Sequence, residues 1–122
     1  MPDPAIDGFF EGRETSRRLF EAVALEVACL DGVTVRVSKS QVAFHRRRNF
    51  ALVWIPGQYL KGRSTAPLVL TLSFPQRDPS PRWKEITEIG PGRFTHHLEL
   101  YGEGDIDAEV CRWLQVAWEH AA

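Results

Sequence analysis

The stretch VAFHRRRNFALVWI, residues 42–55, decides how the chain is read: two apolar arms enclose a basic turn. Val, Phe, Trp and Ile, the types that pack well on a pleated surface, fill the arms. Arg47, Arg48 and Asn49 stand where a hairpin must reverse, and Asn tolerates the positive φ such a turn can need. The stretch predicts the central hairpin of a sheet. In the first arm Val42 and Phe44 share a face opposite Ala43 and His45; in the second, Phe50, Leu52 and Trp54 oppose Ala51, Val53 and Ile55. An arm apolar on both faces marks an interior strand, or one whose outer face is covered by a loop or a second subunit.

Upstream, Val33, Val35 and Val37 alternate with Thr34, Arg36 and Ser38, the period of a half-buried strand. Before them a helix is predicted over residues 14–30, with Leu19, Phe20, Val23, Val27 and Leu30 on its apolar stripe. Residues 7–12 read as a short helical turn closed by Gly12, and residues 1–8 as a loosely ordered segment. Downstream, PGQYLKGRSTAP (residues 56–67) is the one long connection, and its length suggests a binding role or a cover over the sheet. Residues 68–74 form a strand with Leu68, Leu70, Leu72 and Phe74 toward the core. The arm PQRDPSPRW (residues 75–83) has too many prolines for regular structure and delivers Arg82 and Trp83. Residues 84–89 and 94–101 follow as strands around the Pro91-Gly92 turn, and Asp105 is the expected N-cap of a last helix reaching about residue 120.

A chain of 122 residues, 43% hydrophobic and 25% charged, fits one domain spanning 1–122 with a real core. The expected architecture is α+β: a two-layer domain, mostly antiparallel, of about five strands, with the N- and C-terminal helices packed on one face. Val53, Ile55 and Ala51 would then lie on the other face and need a cover. Cys29 and Cys111 have neither CxxC nor ligand spacing, so they read as buried thiols of a reducing compartment. No run approaches bilayer-crossing length and the N-terminus has no basic leader, so a cytoplasmic protein with no membrane partner is expected. GQYLKGR lacks the P-loop spacing and no GxGxxG follows a strand; neither a cofactor nor a metal is expected.

The net charge of -1 conceals a segregation: residues 32–77 hold eight basic and no acidic residues, while the flanks sum to -4 and -5. Either an anionic partner meets the basic middle, or acidic helices of the same fold or of a second copy neutralise it. Candidate ligand-binding residues are Arg46, Arg48, Lys61, Arg63 and Arg82, whose cationic heads hold phosphates or carboxylates, with Tyr59 and Trp83 as stacking faces. Trp83, between Arg82 and Lys84 on the stiff arm, is expected to be exposed or ligand-facing. His97 completes the set. Adjacent strand residues face opposite ways, so His96 and His97 make a poor two-histidine metal site; His97 with Glu99 could form an acid/base couple. No Ser, Cys or Asp in a nucleophile setting accompanies them, so catalytic residues are not assigned.

The ordered set SKSQVAF, RRR, WIPGQYL, DPSPRWKE, GRFTHHLEL and WLQVAWE resembles an uncharacterised bacterial group known as domain of unknown function 5655. The resemblance runs from about residue 9 to the end. It implies a shared fold; no catalytic residues are established for the group that could be carried over, and its members are at best predicted transport-related proteins or domains attached to other modules. The residues themselves point first to a non-catalytic binding module for an anionic ligand, either nucleic acid or a phosphorylated or carboxylated molecule. A protein-interaction or homodimerisation domain is the alternative, and a small enzyme using His97 and Glu99 a third reading.

Overall fold

The strand Leu68–Phe74 lies inside the sheet, paired with Asn49–Trp54 on one side and Arg93–Leu100 on the other. In chain order the strands are β1 (Thr34–Val37), β2 (Val42–His45), β3 (Asn49–Trp54), β4 (Leu68–Phe74), β5 (Glu85–Gly90) and β6 (Arg93–Leu100). Across the sheet the order is β1-β2-β3-β4-β6-β5, antiparallel throughout, six strands where about five were expected. The structure, a computed structural model, describes residues 3–58 and 65–122. The proline arm sets the strand order, since it carries the chain past the position of β6, so that β5 starts at the outer edge and β6 returns beside β4.

Three helices, α1 (Pro4–Phe9), α2 (Glu14–Val27) and α3 (Ala108–His120), contribute to one core on a single face of the sheet. Phe20 of α2 stacks on Phe44 of β2 with ring centroids 6.0 Å apart, and Phe10 follows at 5.1 Å from Phe20. Leu19, Val23 and Val27 from α2 and Val110, Leu114 and Ala117 from α3 complete the helical side. These are the stripes the 3.6-residue period predicts. Each fully buried aliphatic side chain of this kind stabilises the fold by roughly 1.5–3 kcal/mol.

Strand register fixes which residues share that face. Leu70 stands opposite both Val53 and Leu98, and Val53 opposite Val42, so Ala51, Val53 and Ile55 belong to the helix-covered core. This corrects the expectation that they form an apolar second face. The cause is a register shift: Phe44 faces Ala51 but His45 faces Asn49, which leaves Phe50 without a partner. A bulge of this type breaks strict alternation, and Phe50 and Ala51 enter the same core. Leu52 and Trp54 take the other face, opposite Thr71 and Val69.

Two boundaries also move. Asp3 accepts a hydrogen bond from the Ala5 N–H at 2.9 Å and starts α1 at Pro4, so residues 3–8, expected to be loose, carry this helix. Gly12 closes the turn with φ +71°. At the other end Asp107, not Asp105, caps α3, accepting from the Val110 N–H at 3.1 Å. Asp105 accepts instead from the Tyr101 and Gly102 N–H groups and closes the short 3-10 turn Glu103–Asp105. Cys29 is exposed and Cys111 only half-buried, against the expectation that both thiols are buried. Among the described residues no helix is long and apolar enough to cross a membrane.

Phe44 joins α2 to the sheet at 1% exposure, so Phe44→Ala should destabilise the domain by about 3–5 kcal/mol in urea unfolding. Leu25→Ala, at an exposed position of α2, should stay within about 0.5 kcal/mol.

Candidate functional site

The arginines expected to bind a ligand are placed first by the ends of α3. A helix leaves its last carbonyls and first N–H groups without intrahelical partners, and a cation suits the C-terminal end, where the carbonyls are. At that end Arg46 donates to the Trp118 carbonyl at 3.0 Å and lies 3.8 Å over the Trp118 ring, while Arg48 donates to the His120 carbonyl. At the other end Arg82 donates to the carboxylates of Asp107 (3.0 Å) and Glu109 (2.8 Å) and to the Asp105 carbonyl (2.9 Å). Its guanidinium also lies 5.4 Å from the centre of the Trp113 ring. The hydrogen bond to Glu109 raises the Arg82 pKa, and the Val110 N–H followed by Arg82 lowers that of Asp107. Three of the proposed ligand contacts are thus internal to the fold.

Trp83 is 8% exposed, which corrects the expectation that it faces solvent. Its indole N–H donates to Asp78 at 2.9 Å and its ring lies 4.2 Å from Trp113. His96 is fully buried beside Phe74 and Trp83, with both ring nitrogens occupied. Its Nε2 accepts from the Asp78 N–H at 2.9 Å, which leaves the proton on Nδ1, facing the Phe94 carbonyl at 3.3 Å. His96 therefore anchors the proline arm to β6. Tyr59, Lys61 and Arg63, the candidates on the long connection, lie outside the described residues.

His97 points to the opposite face, and register brings it beside residues far away in the chain. Thr71 on β4 stands opposite His97 on β6 and Leu52 on β3, with Trp54 two residues beyond. The Trp54 indole N–H donates to the Thr71 hydroxyl at 3.0 Å, and that hydroxyl lies 2.7 Å from His97 Nδ1. Since an indole can only donate, the arrangement that also uses the Thr71 proton has Thr71 donating to Nδ1. His97 then carries its proton on Nε2, which has no partner among the described residues. The Trp54 and His97 rings meet edge-on at 6.3 Å.

Both side chains line a cleft of about 180 Å³ with Pro56, Val69, Lys84 and Glu85. Burial lowers the His97 pKa while Glu85 pulls it upward, so the ring is neutral at pH 7. Glu99, the acid/base partner expected from sequence, is paired with Lys84 at 3.1 Å and not with His97. Trp54 and Thr71 are the site residues that the sequence reading missed. The only signal for Thr71 is its polar position in the apolar strand LVLTLSF, and nothing local ties it to His97.

The family model for Domain of unknown function (DUF5655) matches residues 6–121, nearly the whole chain. The chain belongs to the DUF5655 family. No curated protein and no solved structure matches it. The histidines of this DUF5655 domain give it a defined acid response. Burial lowers the pKa of His96 and of His97, and burial followed by Arg48 lowers that of His120. Each takes up a proton more readily unfolded than folded, so stability is complete above about pH 6.5 and is lost as pH falls toward the folded-state values. The urea midpoint should fall between about pH 7 and about pH 5.5, and His96→Gln, though less stable at pH 7, should show a flatter decline across that window.

Proposed function

We propose that this DUF5655 domain is a non-catalytic binding module that receives a small carboxylated or phosphorylated molecule in the cleft beside His97. The observation that carries the reading is the hydrogen-bond chain from Trp54 through Thr71 to His97, which orients a neutral imidazole with its Nε2–H unspent. A fixed donor in a partly dry cleft suits an anionic oxygen, and Lys84 at the rim adds a cation that can exchange Glu99 for the ligand. Lys61 and Arg63 belong to the segment joining Pro56 to Val69, two residues of the cleft lining.

The cleft is favoured over the basic hairpin because Arg46, Arg48 and Arg82 are spent on the ends of α3. The same commitment disfavours nucleic acid, which needs several free cations along one surface. Binding is favoured over catalysis because the Lys84 pairing withholds Glu99 from His97. A reducing, cytoplasmic setting suits the two free thiols, Cys29 and Cys111, the latter pushed up to about 11 by burial and so kept unreactive.

The test is a chemical-shift titration with acetate, benzoate and inorganic phosphate. Shifts should centre on His97, Lys84 and the Trp54 indole N–H, and His97→Ala should weaken the best binder about tenfold or more. Affinity should rise as pH falls through the His97 pKa, because an imidazolium holds an anion better than a neutral ring. Shifts that survive His97→Ala, or an affinity indifferent to pH between about 7 and 5.5, would sink the reading.

A further inference from the structure

Both edges of the sheet are open among the described residues, and they differ. At β5 the register shifts between Glu88 and Gly90, and Glu85 and Glu88 are exposed, a broken and acidic edge. At β1 the ladder is regular. The Ser38 N–H donates to the Gln41 carbonyl at 2.9 Å, which makes 38 and 41 a hydrogen-bonded pair. Antiparallel pairing alternates, so Arg36 and Thr34 bond to β2, while Val35 and Val37 turn their N–H and C=O groups to the free edge. The side chains of these two valines share the helix-covered face, and each borders a different cleft. Val35 lines one with Ala24, Val27, Leu30 and Phe44; Val37 lines another with Ala5, Phe9 and Lys39. Two apolar clefts therefore follow the edge at the two-residue repeat of a strand.

We infer that β1 is a docking edge for an extended peptide segment of a partner protein, which adds a seventh strand and places two apolar side chains in these clefts with an acidic residue between them. The middle preference comes from Arg36, exposed on the opposite face with no ion-pair partner among the described residues. Arg36 also disfavours a second copy as occupant: self-pairing that uses Val35 and Val37 of both copies sets the two Arg36 side chains directly opposite, a like-charge contact that destabilises a strand pair. Backbone hydrogen bonds would give affinity and alternate pockets specificity, the logic of strand addition.

The test uses the whole chain and two blocked peptides, with a valine-aspartate-valine or valine-lysine-valine core flanked by Ser and Thr. Amide exchange at Val35 and Val37 should slow with the aspartate peptide, which should bind roughly fivefold more tightly than its lysine twin. Arg36→Glu should reverse that order. Val35→Pro removes an N–H the domain does not use, so it should abolish binding while distant amide signals keep their positions. The inference is overturned if the aspartate peptide leaves both exchange rates unchanged, or if the two peptides bind alike. Protection of Val35 and Val37 that grows with protein concentration without peptide would assign the edge to a second copy and overturn it too.

Discussion

Helix α3 leaves unsatisfied backbone groups at both ends: the β2–β3 turn supplies donors for its last carbonyls, and its own N-cap Asp107 supplies an acceptor for its first turn. A helix of 13 residues is marginal in water by itself, so its persistence depends on burying Val110, Trp113, Leu114 and Ala117 and on satisfying its termini. The Arg46 and Arg48 side chains meet its last carbonyls from the β2–β3 turn, 72 residues away in sequence. At the first turn Asp107 accepts from the Val110 N–H and is itself held by a hydrogen bond from Arg82. The basic hairpin is thus a cap carried by another element, and it ties the central hairpin to the chain's last helix.

The acid-free middle and the acidic C-terminal third are neighbours in the fold, but Arg46 and Arg48 meet backbone carbonyls of α3, while the ion pairs of Arg82 and Lys84 lie within the C-terminal third itself. Alternation in Val33–Val37 and Leu68–Phe74, and helical stripes around Phe20 and Leu114, were legible because each depends only on local period. What escaped was non-local. The bulge at Phe44/His45 reversed the faces assigned to β3, since a one-residue shift exchanges the sides of every later side chain. Asp105 and Asp107 both suit an N-cap by type, and only the 3-10 turn before α3 distinguishes them.

The same limit applies to the candidate site. Trp54, Thr71 and His97 stand 17 and 26 residues apart along the chain, and two strand registers must be known before they meet. His97 was visible as a chemical type and Trp54 as an aromatic, but their joint use of one threonine hydroxyl is a property of the sheet. Trp83 shows the converse error. Flanking charges suggested exposure, yet Arg82 and Lys84 direct their heads to Asp107 and Glu99 while the indole between them turns inward against Trp113 and Phe74.

Neighbouring histidines make the sharpest comparison, because alternation sends one to each face. His96 enters the helix-covered core, where a polar ring is tolerable only if both nitrogens are matched, and the Asp78 N–H and Phe94 carbonyl match them. Nothing is left with which to bind. Among the described residues no helix packs on the side where His97 lies, and Thr71 engages Nδ1 alone. A single partner fixes the ring's orientation and tautomer and leaves Nε2 with its proton at a cleft. The face a residue occupies, more than its type, therefore decides whether an imidazole spends both nitrogens inside this fold or keeps an N–H at a cleft.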